Sequence, residues 1–280
     1  MENVIVLEMI HELTKIFVHI VIPGLAGITF FALAKFVKHI APLRALVSSL
    51  QTYKAAYWSF LLFGCYLALR PVQALAGPHP WPMVISNIRE FILIAIVGPA
   101  MFTAMMTLCF GPEKFNKWKV WPVFVFGAVL AVVYCLTNSK AIGGSEEIAK
   151  LGMLTAYDGL WYRNVRENLA QLMRILFIIR LLDPGLLLLV AAGVVMYHAK
   201  NYPEAKKKQY DNMPTKLYLM GAAVLVFSLS LIGGSFFYGL KKVPDQWGTY
   251  HLVALLAGIL ETISLSMPVR SEVQVSEHEG

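Results

Sequence analysis

The chain has 280 residues, of which 58% are hydrophobic and only 15% are charged, with a formal net charge of +7. Because about a quarter of the residues of a soluble domain carry charge, this composition excludes an ordinary soluble protein and indicates a membrane protein. A positive charge of this size would suggest nucleic-acid binding in a soluble protein. Here it lies between apolar stretches, so we expect a lipid bilayer as partner and no nucleic acid.

Apolar stretches of about 18 or more residues can cross a bilayer as helices. Seven such stretches follow one another: 16–36, 50–69, 88–109, 121–138, 176–197, 216–238 and 248–267. They predict an all-α fold, a polytopic membrane protein with a seven-transmembrane helix bundle over 16–267. Residues 1–15 are predicted to form an outer amphipathic segment, and 268–280 a short acidic cytoplasmic tail.

Basic residues mark three of the connections between these stretches, at 35–54, 111–119 and 200–216. Because lysine and arginine are enriched in cytoplasmic loops, we place these three segments inside. This predicts an N-terminus outside and a C-terminus inside, in a multi-pass protein of the cell membrane, the bacterial inner membrane.

Three prolines, Pro23, Pro99 and Pro184, lie at similar depths in the first, third and fifth stretches. Each removes a helical hydrogen bond and bends its helix. The spacing of Arg89 to Pro99 repeats in Arg174 to Pro184. Helical hairpins 1–2, 3–4 and 5–6 are therefore predicted to be three divergent copies.

Ionisable residues inside a membrane are costly, so each is a candidate for function. The ligand-binding candidates lie in the outer half of the third, fifth and seventh spans, under a stiff loop at 70–83: Arg89, Glu90, Arg174, Arg180, Asp183 and His251. Trp81 and Trp161 are expected at the mouth of this pocket. Two alternatives stay open: Arg180 and Asp183 could neutralise each other at i, i+3, and Arg89 with Glu90 could be interfacial anchors.

Two further pairs come from the histidines and from the inner half of the seventh span. Glu261 needs a partner, and Lys35 at the inner end of the first span is the candidate for a switch pair, or equally for a static structural pair.

His19 and His251 lie at matched depth and leave haem as a minority possibility. Otherwise we expect no cofactor, no metal site, and no enzymatic activity, since no catalytic motif is present.

The segment with Pro99, Lys114, Lys117, Lys119 and Pro122 continues to Leu136-Thr137-Asn138. It resembles the seven-transmembrane N-terminal sensory region of bacterial histidine kinases and diguanylate cyclases. The resemblance implies a sensory module, which we expect to act without an output domain of its own.

The predicted function is a receptor-like membrane sensor or signal-transduction module with an outward-facing polar pocket, acting through a separate protein partner or as a homo-oligomer. An integral subunit of a larger membrane complex, either structural or a haem or quinone anchor, is the first alternative. A small transporter is the second, because broken helices often form transport sites.

Overall fold

A computed structural model describes residues 13–14, 16–44, 50–76, 80–143, 171–172, 174–207, 210, 212–236 and 247–268. Trp161 lies outside these residues, as do nearly all of the predicted outer segment 1–15 and of the predicted tail 268–280. The described residues are 94% helical and include no strand, which confirms the all-α prediction.

The described residues form seven long helices, with a four-residue helical turn, Glu204–Lys207, between the fifth and the sixth. Helix α1 comprises a π-helical segment Phe17–Val21 followed by Ile22–Arg44, and α2 is Leu50–Leu75. Helix α3 comprises Trp81–Phe91, a π-helical segment Ile92–Val97 and Gly98–Lys114, and α4 is Lys117–Gly143. Helix α5 crosses from Arg174 to Lys200 and includes a π-helical segment Leu181–Leu186, while α6 is Met213–Phe236 and α7 is Trp247–Ser266.

Helices α1 to α6 are long and apolar enough to cross a membrane, which indicates a multi-pass membrane protein. The seventh predicted stretch corresponds to a shorter apolar helix within α7, Tyr250–Ser266. A membrane explains why large apolar side chains lie on the outside. Trp118 is 84% exposed and Leu136 is 64% exposed, both on α4.

The helices pack as a ring with one helix outside it. Helix α1 packs on α2 and α7, α3 packs on α2 and α5, and α6 packs between α5 and α7. Helix α4 lies outside this ring against α3, where Ala131 and Tyr134 meet Ile94 of α3 and Ile179 of α5. An aromatic cluster ties the core together, since the ring of Phe63 in α2 lies 4.9 Å from Phe30 of α1 and 4.9 Å from Phe227 of α6.

Each of the three aligned prolines lies at a π-helical segment. Pro23 and Pro99 follow such segments within two residues, and Pro184 lies inside one. A proline cannot donate to the carbonyl four residues before it and clashes with that carbonyl, so a shift to i→i+5 bonding relieves both problems. The Asp183–Pro184 bond is cis.

The ends of the bundle carry different polar groups, and we name them after two residues. At the Trp81 end lie the start of α3 and α5 and the end of α2, α4 and α6; at the Lys216 end lie the start of α2, α4 and α6. Helices α2 and α3 extend further at the Trp81 end than predicted, to Leu75 and back to Trp81. The predicted loop 70–83 is therefore too long, because residues 70–75 belong to α2 and residues 81–83 to α3. Arg70 and Gln73 have hydrogen-bond partners inside the bundle, which explains why α2 continues through them.

Candidate functional site

Three arginines from three helices lie together at the Trp81 end, two of them fully buried and the third, Arg180, with a side chain that is 13% exposed. The arginine cluster consists of Arg70, Gln73 and Tyr66 of α2, Arg89 and Glu90 of α3, Arg180 of α5 and His19 of α1. Arg70 and Arg89 are each only 2% exposed, although arginine is rarely buried in proteins. This number of arginine side chains can lie inside the bundle only because each guanidinium group donates to a hydrogen-bond acceptor there.

Arg89 is held by α2 on two sides. Its Nε donates to the carbonyl oxygen of Tyr66 at 2.8 Å, and its Nη1 donates to Oε1 of Gln73 at 2.5 Å. Its guanidinium carbon lies 4.5 Å from the centre of the Tyr66 ring, which adds a cation–π contact. Arg89 thus locks the start of α3 onto the end of α2.

Gln73 joins Arg89 to a second arginine. Its Oε1 also accepts a hydrogen bond from Nη1 of Arg70 at 2.9 Å, while its own amide nitrogen donates to the carbonyl of Pro82 at 3.4 Å. Arg70 and Gln73 are three residues apart, so they share one face of α2. The Nη2 of Arg70 lies 2.9 Å from Nδ1 of His19; since arginine can only donate, this ring nitrogen accepts.

Arg180 forms a buried ion pair with Glu90. Its Nε donates to Oε2 of Glu90 at 2.9 Å, and its Nη2 contacts Oε1, so the pair is bidentate. The same Nη2 lies 3.5 Å from the hydroxyl of Tyr66, and the guanidinium group lies 5.5 Å from the centre of the Tyr134 ring of α4. Glu90 is the one carboxylate that neutralises an arginine among the described residues of the cluster.

A neutral network beside the cluster attaches α4 to α3. The amide of Asn138 donates to Ser86 at 3.0 Å and to Asn87 at 2.8 Å, and the amide of Asn87 donates to Ser139 at 2.7 Å. Hydrogen bonds between polar side chains orient α4 on α3, since apolar contacts alone do not select one membrane helix over another or over lipid.

A small cavity opens beside Arg180 between α2, α5, α6 and α7. About 20 Å³ of it is open to water-sized molecules, which is room for about one water. Its polar wall is contributed by Tyr66, Arg180, Ser230, Ser235, Tyr250 and His251. The cavity is therefore the place where a ligand could reach the arginine cluster.

The structure brings four of the six candidate ligand residues together. Arg89, Glu90 and Arg180 belong to the arginine cluster, and His251 lines the cavity with Arg180. The side chain of Arg174 is exposed and lies outside this group. Arg180 pairs with Glu90 rather than with Asp183, and the anchoring alternative for Arg89 and Glu90 is at odds with their burial at 2% and 3%.

Asp183 is fully buried but separate from the cluster. Neither carboxylate oxygen has a hydrogen-bond partner among the described residues. Its neighbours are the backbones of Gly98 in α3 and Gly127 in α4.

The predicted pair of Lys35 and Glu261 is not formed. Lys35 is exposed, while Glu261 is 1% exposed and its carboxylate has no hydrogen-bond partner within the described part of the chain. A lysine near a helix end can extend to the membrane surface, which costs less than burying its charge. The buried cation at this end is instead Lys216, whose Nζ lies 3.4 Å from the Tyr53 hydroxyl and 3.4 Å from the Leu265 carbonyl.

Sequence reasoning missed Arg70, Gln73 and Lys216. Arg70 falls in the predicted loop 70–83 and Lys216 in the basic segment 200–216, so the sequence pattern predicts neither side chain inside the bundle. The spacing of Arg70 and Gln73 at i, i+3 after an apolar run was the one available signal of a shared helical face. Across the described residues no group of three or more histidine, cysteine, aspartate or glutamate side chains could hold a metal ion.

No family model, no curated protein and no solved structure matches this chain. The resemblance to bacterial sensory regions and the haem possibility at His19 and His251 therefore stay predictions.

Proposed function

We propose that the protein is a receptor-like membrane protein that binds a small anion at the arginine cluster, through the cavity beside Arg180. The observation that carries this proposal is the cavity wall: the Arg180 guanidinium group, on a side chain that is 13% exposed, lines the cavity together with the polar side chains of Tyr66, Ser230, Ser235, Tyr250 and His251. Charge buried away from water is attracted strongly to an opposite charge, and arginine is suited to bidentate carboxylate or phosphate binding.

The small cavity implies that binding and movement are coupled. Because it has room for about one water, a carboxylate or phosphate group enters only if α6 and α7 shift away from α2 and α5. An anion that binds the shifted arrangement better than the closed one raises its population. The shift would be transmitted to a separate protein partner, as expected for the sensory regions that the sequence resembles.

We also propose that α7 crosses the membrane as a seventh span, with the N-terminus outside. Its 20 residues cover about 30 Å, the thickness of a bilayer core. It lies between the two polar layers, since His251 lines the cavity at the Trp81 end and the carbonyl of Leu265 accepts from Tyr53 at the Lys216 end. The exposed lysines Lys38, Lys114 and Lys206 favour a cytoplasmic Lys216 end.

Orientation can be tested with single cysteines introduced at Lys38, Lys206 and Lys140 in a variant without the three native cysteines. Labelling of intact cells with a membrane-impermeant maleimide should modify the Lys140 position alone. Labelling of Lys38 or Lys206 from outside contradicts the orientation.

Anion binding can be tested with the purified protein in lipid nanodiscs. Acetate, sulfate and inorganic phosphate are titrated by calorimetry, and the melting temperature is followed in parallel. We expect at least one of them to bind and to raise the melting temperature, since a ligand of the native state stabilises it. The double variant Arg180→Gln with Glu90→Gln removes the ion pair without leaving an isolated charge and should lose at least tenfold in affinity.

Arg174→Gln is the matched control, because it removes an exposed arginine from the same helix. It should bind the anion with unchanged affinity. Equal affinity in the double variant and in the wild-type protein would contradict the proposed site.

A small transporter is the second candidate. Two helices broken at Pro99 and Pro184 pack on each other through their π-helical segments, and transport sites are often built at such discontinuous helices. Uptake of radiolabelled phosphate or acetate into proteoliposomes would favour the transporter, whereas binding without uptake favours the receptor. The role of a structural or redox subunit stays a prediction, for which co-purification of stoichiometric partners is the test.

A further inference from the structure

Asp183 is an acidic side chain that the proposed anion site does not use. It is fully buried, and neither oxygen has a hydrogen-bond partner among the described residues. Arg180, one helical turn before it, is occupied by Glu90. An isolated ionised carboxylate in an apolar interior is so costly that the group takes up a proton instead.

The backbone aims the Asp183 carboxyl group at two glycines. Asp183 has extended backbone angles, φ −138° and ψ 124°, inside the π-helical segment of α5. A Cβ atom at Gly98 of α3 would collide with Oδ1, and one at Gly127 of α4 would lie 3.0 Å from Oδ2. Only glycine at both positions leaves room for this side chain, so α3, α4 and α5 together form a fitted socket for it.

A carbonyl oxygen without its usual helical donor lies beside the same socket. Gly98 donates its N–H to Leu93, as expected for π-helical bonding, and the next residue, Pro99, has no N–H. Neither of the two residues that normally donate to Ile94 therefore does so. The Ile94 oxygen lies 2.7 Å from the position of a Cβ at Gly127, the same point that lies 3.0 Å from Oδ2 of Asp183.

The described charged and titratable groups on α3 and α4 lie well away from this socket along each helix. Toward the Trp81 end the nearest are Glu90 on α3, about 12 Å from Gly98, and Tyr134 on α4, about 10 Å from Gly127. Toward the Lys216 end they are Cys109 on α3, about 16 Å from Gly98, and Lys119 on α4, about 12 Å from Gly127. Arg180 is the nearest on α5 itself. Helix α6, whose Ser228 donates to the Gly185 carbonyl at 2.8 Å, offers no charged residue at this level.

We propose that Asp183 is a proton-binding site in the membrane interior, where the protonated carboxyl group donates a hydrogen bond to the carbonyl oxygen of Ile94. Because the Ile94 oxygen and Oδ2 of Asp183 lie 2.7 Å and 3.0 Å from the same point, a protonated carboxyl group needs only a small side-chain movement to donate to that carbonyl. Hard metal cations require about six oxygen ligands, more than the described residues offer here. The proton is thus a second ligand of the protein, independent of the anion at the arginine cluster.

Infrared spectroscopy of the full-length protein in nanodiscs at pH 7 tests the proposal. A protonated carboxylic acid has a C=O stretching band that is separate from ionised carboxylates and shifts in D₂O. The wild-type minus Asp183→Asn difference spectrum should contain this band. Glu261→Gln, at the other buried carboxyl group without a described partner, is the control and should leave the Asp183 band in place. Absence of the band from the Asp183→Asn difference spectrum overturns the proposal.

The hydrogen bond to Ile94 is tested with Gly127→Ala, whose methyl group enters the space between the two oxygens. The Asp183 band should shift in frequency, whereas Gly193→Ala, where a Cβ meets nothing within 4 Å, should leave it unchanged. An unshifted band in a folded Gly127→Ala protein contradicts the bond to Ile94. A band that appears only when sodium is replaced by choline identifies sodium as the occupant and overturns proton binding.

Discussion

The guanidinium group of Arg180 and the carboxylate of Glu90 meet inside the bundle although they lie 90 residues apart in the chain. Glu90 is adjacent to Arg89, which faces α2, so two neighbouring residues of α3 bind α5 and α2 respectively. Helix α3 is consequently the most buried of the candidate spans, with 78% of its apolar window inside the structure. Polar contacts rather than apolar ones determine which helices pack on α3, because lipid covers an apolar helix surface as well as another helix does.

Breaking this pair on one side should be costly. Glu90→Gln leaves the Arg180 guanidinium buried without its counter-charge, and removal of one partner of a buried pair costs about 3–5 kcal/mol. We expect a loss of this size in the free energy of unfolding, measured by titration with sodium dodecyl sulfate from mixed micelles.

The double variant Glu90→Gln with Arg180→Gln provides the matched comparison. Since no isolated charge remains, it should recover at least half of the lost stability. A double variant that is as unstable as the sum of both single variants would mean that the two side chains do not interact.

Gln73 offers a prediction in which stability and binding change in opposite directions. Its Oε1 accepts from both Arg70 and Arg89, so Gln73→Glu places a carboxylate between two cations. Charge-assisted hydrogen bonds are stronger than neutral ones, and we expect a gain of about 1 kcal/mol in the free energy of unfolding. Because the new carboxylate competes with an added anion for the guanidinium groups of Arg70 and Arg89, the affinity for sulfate or phosphate should fall.

Gln73→Leu is the comparison for this variant, since it removes both hydrogen bonds and adds no charge. It should lower stability by about 1–3 kcal/mol. If Gln73→Glu is destabilised as much as Gln73→Leu, a carboxylate gains nothing from Arg70 and Arg89, which contradicts the attraction of anions to the cluster that the proposed function requires.

Sequence patterns predicted the helices well but their polar contacts only in part. All seven predicted stretches correspond to helices, and six of these helices are long and apolar enough to cross a membrane. Length and apolar composition alone determine whether a segment can cross a bilayer. The burial of Arg89 and Arg180 follows from their place in apolar surroundings. Which partner each takes depends on helix rotation and packing, so the choice of Glu90 over Asp183 could not be read from spacing along one helix.

The same limit explains the failure of the Lys35 and Glu261 pairing. Matched depth on two helices does not fix which way each residue faces, and Lys35 faces outward while Glu261 faces inward. Lys216 was overlooked because a lysine at the start of an apolar stretch normally marks the membrane surface. Its burial is possible because Tyr53 and the Leu265 carbonyl supply acceptors that belong to distant parts of the chain.

A double-mutant cycle should show that Lys35 and Glu261 act independently. Lys35→Met and Glu261→Gln should have additive effects on the free energy of unfolding to within about 0.5 kcal/mol, as expected for residues without contact. Glu261→Gln alone should be neutral or stabilising, because its carboxylate has no hydrogen-bond partner in the described chain. A coupling energy above about 1 kcal/mol would instead support the predicted switch pair.

The contact between α1 and α2 should depend on Gly27. A Cβ at this position would lie 3.0 Å from the backbone nitrogen of Ala68 and 3.0 Å from the backbone oxygen of Gly64, so neither neighbour can move without displacing α2. Gly27→Val should therefore lower the free energy of unfolding by about 1–3 kcal/mol, the usual cost of overpacking. Gly193→Val, on an exposed face where a Cβ meets nothing within 4 Å, should change it by less than about 0.5 kcal/mol. Equal effects of the two variants would show that α1 and α2 do not approach each other at Gly27.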